Sequence, residues 1–169
     1  MLEKTNKAFS GGRYIFDLLR ETLAHKEQRN RIATALLSEK QARQEHKTIK
    51  INLGGQMGHT TAAVSLFNEY ENVLIITSNE QSAQLTRDKA GVNSSIYTTD
   101  DYKRHNITAR ILSEVAVLKT GSAYWATTDA DGSPNAPDIV ILDNASYSKL
   151  NESTLWELFP KIQYLIMLQ

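Results

Sequence analysis

Two stretches of this chain carry residue types in an order suited to chemistry. The first is Gly54-Gly55-Gln56-Met57-Gly58-His59-Thr60-Thr61, a glycine-rich turn after a short apolar run. Glycine reaches backbone angles closed to other residues, so such a turn lets successive N–H groups converge on an anion where the next helix begins. Against the phosphate-loop pattern G-x-x-x-x-G-K-[ST], Gly58 and Thr60 fall in place, while Leu53 holds the first glycine position and His59 the lysine position. The second stretch is Ile139-Val140-Ile141-Leu142-Asp143-Asn144, an apolar run ending in an acid. At the C-terminal edge of a parallel sheet such an acid faces the loops of neighbouring strands. Asp143 can there hold a Mg²⁺-bound water while the Thr60 hydroxyl binds the ion from the other side. Each stretch has a plainer reading: glycines for tight packing in any strand-turn-helix, and an Asp that caps a strand end. Their occurrence together, with Asp143 about 85 residues after Gly58, favours the chemical one.

These residues need a scaffold that brings two strand ends to one edge. Ile49 to Leu53 alternates apolar and polar residues and reads as a strand, and Thr60-Thr61 open a helix whose apolar residues include Ala63, Val64 and Phe67. Val73 to Thr77, Ile139 to Leu142 and Ile162 to Leu168 are continuous apolar runs, as in strands buried on both faces. Ser78 to Ser82 reads as the cap and first turn of a helix reaching about Ala90. Ser95 to Thr98 and Ala123 to Thr127 read as further short strands, Arg110 to Lys119 fits either helix or strand, and Ser153 to Phe159 reads as a helix ended by Pro160. Upstream, residues 1–12 form a polar, flexible arm. Apolar residues at helical spacing then mark one helix from Arg13 to about His25 and another from about Gln28 to Gln44. Strands separated by helices imply parallel pairing through right-handed crossovers.

Composition narrows the function. The 169 residues suffice for one well-buried domain. Nineteen basic and nineteen acidic side chains cancel, so no global field draws nucleic acid or membrane. Cysteine is absent, which removes disulfides, thiolate metal sites and cysteine nucleophiles and is compatible with a reducing cytoplasm. No apolar run has the length of a membrane span, and the reading is of a soluble, intracellular protein. Asp129, Asp131 and Gly132 suggest a calcium loop, but no glutamate stands at the required distance downstream and a hairpin turn uses the same residues. His25, His46, His59 and His105 show no paired metal spacing.

From Ile49 to the C-terminus, about 120 residues, the chain resembles the ATPase domain of large terminase subunits, the DNA-packaging motors of tailed phages, and more distantly the helicase branch of P-loop NTPases. Gln56-Met57-Gly58-His59-Thr60-Thr61 is similar to the terminase loop ending R-Q-x-G-K-[ST]-T, with Gly55 where that family places arginine. Asp143-Asn144-Ala145 stands where the family has D-E-A. Val73 to Ser78 and the helix with Gln81, Ala83 and Leu85 resemble the family's second strand and helix.

The resemblance implies an α/β, three-layer P-loop NTPase-like fold with a mostly parallel sheet and helices on both faces. Residues 13–169 would be a single domain that includes the two N-terminal helices. It implies ATP held by Gly54, Gly55, Gln56, Met57, Gly58, His59, Thr60 and Thr61, Mg²⁺ held by Thr60 and Asp143, and Asn144 in the place of the catalytic glutamate. DNA or another phage or host protein would be the partner, in the cytoplasm, that of a host cell if the chain is phage-encoded. The departures at Gly55, His59 and Asn144 remove groups that neutralise phosphate charge or position water, so weak or absent hydrolysis is expected. A pseudo-ATPase that binds protein or nucleic acid without nucleotide is the alternative. A third reading is a working ATPase whose missing arginine arrives from a partner.

Overall fold

The uninterrupted apolar runs form strands with no exposed position. In the computed structural model the described residues are 13–26, 46–52, 58–70, 72–91, 110–125 and 136–169. The chain forms a helix at 13–26 (α1), then β1 (Thr48–Ile51), α2 (His59–Glu69), β2 (Val73–Thr77), α3 (Glu80–Ala90), β3 (Arg110–Ser113), α4 (Glu114–Thr120), a helical turn α5 (Ser122–Trp125), β4 (Ile139–Leu142), α6 (Glu152–Leu158) and β5 (Tyr164–Leu168). Every residue of β2, β4 and β5 is buried, whereas β1 alternates, as suits a strand at the sheet's edge.

The five strands make one sheet in the order β1-β5-β4-β2-β3, and every pairing is parallel. Side chains alternate between two cores along each strand. Val73, Ile75, Ile139, Ile141, Ile166 and Leu168 pack with Ile15 and Leu19 of α1, Ala62, Ala63 and Leu66 of α2, and Ala83 of α3. Leu74, Ile76, Val140, Leu142, Leu165 and Met167 pack on the opposite face with Val117 of α4, Trp125 of α5 and Leu155 and Trp156 of α6. The result is a three-layer α/β fold. The chain crosses the sheet from β1 through β2 to β3 with α2 and α3 on one face, reverses, and returns through β4 to β5 with α4 to α6 on the other. A single hand of crossover requires that change of face.

Where Arg110 to Lys119 fits either helix or strand, the chain does both in turn. Ser113 ends β3 and accepts a hydrogen bond from the Ala116 N–H at 3.3 Å, capping α4. Ala123 to Thr127 is corrected: Ser122–Trp125 is a helical turn, while residues 126 and 127 lie outside the described residues. The aromatic pair favours a strand by propensity, but burial of Trp125 against Phe159, ring centroids 5.0 Å apart, decides the conformation. The arm at 1–12, the second helix from about Gln28 to Gln44 and the strand at Ser95 to Thr98 all fall outside the described residues.

Arg87 of α3 fastens edge strand β3. Its guanidinium is 2% exposed and donates from Nε at 3.1 Å and Nη2 at 2.9 Å to the Ile111 carbonyl, while Nη1 meets Glu80 at 2.7 Å. Arg87→Ala leaves that carbonyl unpaired and a cavity beside it, so a loss of about 2–4 kcal/mol in unfolding free energy is expected by denaturant titration. Arg87→Met, which keeps most of the volume, should lose clearly less.

Candidate functional site

All five strands are parallel, so their C-terminal ends share one edge, where ligands of open α/β sheets bind. β1 and β4 are separated by β5, two strand spacings or roughly 10 Å. α2 bridges that gap as it crosses from β1 to β2. Its N-cap is Gly58 at φ 82°, ψ 27°, a left-handed conformation that a side chain would strain. α3, α4 and α6 are capped by the side chains of Asn79, Ser113 and Asn151. α2 has no side-chain cap and no acid in its first turn, so its first N–H groups keep their capacity for an external acceptor.

The first turn of α2 meets the end of β4 directly. Thr60 Oγ1 donates to Asp143 Oδ2 at 2.7 Å, joining residues 83 positions apart. Asp143 follows the last residue of β4, and its N–H donates to the Ile76 carbonyl at 2.9 Å, which continues the β2 pairing and fixes the carboxylate. The Asp143 residue is 3% exposed, and its Oδ1 has no hydrogen-bond partner. His59, 5% exposed, likewise has an unpartnered Nε2. Buried polar atoms are almost always paired, and two orphans on adjacent elements of one site favour an external ligand. Beside them lies a cleft of about 290 Å³ lined by Gly58, His59, Thr60, Thr61, Lys89 and Asn144.

Asn144 opens a short 3₁₀ turn (Ala145–Tyr147) in a left-handed conformation, φ 55°, ψ 49°. Asparagine tolerates that region far better than most other side chains, so the residue has a backbone reason here. The turn is tied down by the start of α4. Ser148 Oγ donates to Glu114 Oε1, the Lys149 N–H donates to Glu114 Oε2 at 3.4 Å, and Glu114 itself is 6% exposed.

The structure thus gathers Gly58, His59, Thr60, Thr61 and Asn144 around one cleft and bonds Thr60 to Asp143. Gly54, Gly55, Gln56 and Met57 lie outside the described residues, as do Asp129, Asp131 and Gly132. Sequence reasoning missed Lys89 and Glu114. Lys89 belongs to no motif, and only the Ser113-Glu114 pair, a cap followed by a first-turn acid, offered a signal for α4.

No group of three or more His, Cys, Asp or Glu side chains that could hold a metal occurs among the described residues. That excludes a cage made of such side chains there. Mg²⁺ is commonly held by one or two protein oxygens together with waters and substrate phosphates. The Thr60 hydroxyl and the orphaned Asp143 Oδ1 fit that donor set. Comparison of the chain with protein-family models, with curated proteins and with solved structures finds no match.

Proposed function

We propose that the chain binds ATP as its Mg²⁺ complex at the first turn of α2 and hydrolyses it weakly or not at all, in the manner of a terminase-like or helicase-like P-loop domain. The observation that carries this reading is the Thr60–Asp143 hydrogen bond at 2.7 Å, with the second carboxylate oxygen buried and unpartnered. Phosphates would lie against the N–H groups of the α2 first turn, and Thr60 and Asp143 would hold the ion. Mg²⁺, when bound, supplies neutralisation of phosphate charge. Weak hydrolysis follows from the residues present. His59 replaces the loop lysine, and Asn144 can orient a water but cannot take its proton.

The proposed setting is the cytoplasm, that of a host cell if the chain is phage-encoded, with DNA or a phage or host protein as partner. Among the described residues no helix is long and apolar enough to cross a membrane. Titration calorimetry with Mg-ATP tests the reading, beside ATP in excess chelator and turnover assays with and without DNA. Mg²⁺-dependent binding is expected, with turnover well below about 1 s⁻¹, the low end of ordinary enzymes. Absence of binding in both conditions would leave a nucleotide-free interaction module as the better description. Brisk turnover would show that His59 and Asn144 belong to a working site.

A further inference from the structure

The loop pattern has no lysine, yet the cleft has one. Lys89 lies in the last turn of α3 and lines the same cleft as His59, Thr60 and Thr61. Its neighbour Arg87 is committed to the Ile111 carbonyl and Glu80, whereas Lys89 makes no hydrogen bond or ion pair among the described residues. α2 and α3 each follow a strand of one parallel sheet, so their N-termini lie at the same edge. Lys89 stands at the far end of α3 from that edge, and its long stem is among the groups that line the cleft.

Among the described residues that line the cleft, charge is of one sign. Its described lining of Gly58, His59, Thr60, Thr61, Lys89 and Asn144 contains no carboxylate. Asp143 stands beside that lining, and Thr60 occupies one of its two oxygens. His59, buried to 5% exposure with Nε2 unpartnered, is an independent sign of a ligand at this wall. A concave surface of N–H and hydroxyl donors with a lysine ammonium suits a chain of phosphates, because an ammonium binds phosphate as a point charge without a fixed geometry.

We infer that Lys89 supplies the fixed positive charge on the phosphates of the bound ligand, from α3, in place of the lysine that the loop lacks. The inference rests on the nucleotide reading above and makes Lys89 a determinant of selectivity for polyphosphate over monophosphate. A lysine in a last helical turn also complements the helix dipole, and the two roles give different results.

The test is calorimetry on the full chain with Mg-ATP, with Mg-tripolyphosphate and with AMP, at low and high salt, for wild type, Lys89→Ala and Lys89→Arg. The thermal midpoints of the ligand-free variants serve as a folding control. Lys89→Ala should bind Mg-ATP and Mg-tripolyphosphate about tenfold more weakly, with a flatter salt dependence. Its AMP affinity should hold, and Lys89→Arg should stay within about threefold of wild type because the charge remains. A Lys89→Ala protein that matches wild type for both polyphosphates at both salt concentrations, with only its midpoint changed, overturns the assignment and leaves nucleotide binding standing. Wild type without affinity for Mg-ATP overturns both.

Discussion

Asp143→Asn raises the thermal midpoint of the ligand-free protein by about 2–4 °C and removes the further rise that Mg-ATP gives the wild type. The two effects share one cause. Asp143 is 3% exposed, and its Oδ1 is buried without a partner, so the native state carries the desolvation of a carboxylate oxygen that the unfolded chain leaves in water. Asparagine keeps an oxygen for the Thr60 hydroxyl and places a neutral amide where the second oxygen stood. A neutral group costs less to bury, and about 1 kcal/mol of relief in a domain of this size corresponds to the stated shift. The same change removes the negative oxygen offered to the metal. In wild type, Mg-ATP at about a hundred times its dissociation constant stabilises by about 2.7 kcal/mol, or roughly 5–10 °C. The variant should gain little of this. If Asp143 is only a strand-end cap, neither effect appears: the ligand-free variant melts lower, and Mg-ATP shifts neither protein. Thr60→Val offers a check from the other partner, with the ligand response again reduced.

Much of the frame was legible because periodicity reports burial. Val73–Thr77, Ile139–Leu142 and Ile162–Leu168 read as doubly buried parallel strands; the first two have those bounds, and the third begins two residues later, at Tyr164. Asn79 announces α3 by its capping chemistry, with its side chain accepting from the Ser82 N–H at 2.8 Å. The meeting of Thr60 with Asp143 was legible for a different reason: in a parallel sheet every strand ends at the same edge, so two motifs at strand ends converge.

What stayed hidden depends on neighbours distant in sequence. Tyr124 and Trp125 have strand propensity, and only the Phe159 ring shows why a helical turn is preferred. The left-handed backbone at Asn144 belongs to the turn after β4 and cannot be read from the residue type alone. Lys89 enters the cleft through packing of α3, on which sequence spacing is silent.

Phe159→Ala should be the most destabilising single change of those considered, at about 3–5 kcal/mol, while leaving the affinity of the folded protein for Mg-ATP nearly unchanged. Phe159 is fully buried just after α6, in the core that joins α4 to α6 with the sheet, and its ring lies 5.0 Å from that of Trp125. Truncation removes aromatic area and its contacts with the Trp125 ring, and the surrounding helices, tied to β strands, can collapse only partly into the space. Against a typical total of about 5–15 kcal/mol, such a loss lowers the thermal midpoint by roughly 10 °C. The candidate site draws on α2, α3 and their first-face core, where Ala62, Leu66 and Ala83 pack. Changes without shared partners act independently, so the binding constant measured well below the midpoint should match wild type. Tyr147→Ala is the contrasting case. Its ring is 82% exposed beside Asn144, so stability should change by no more than about 0.5 kcal/mol. A folded Phe159→Ala protein with weakened Mg-ATP binding would show that the core around Phe159 is coupled to the site, most directly through Glu114, which reaches from α4 to Ser148 and Lys149 beyond the Asn144 turn.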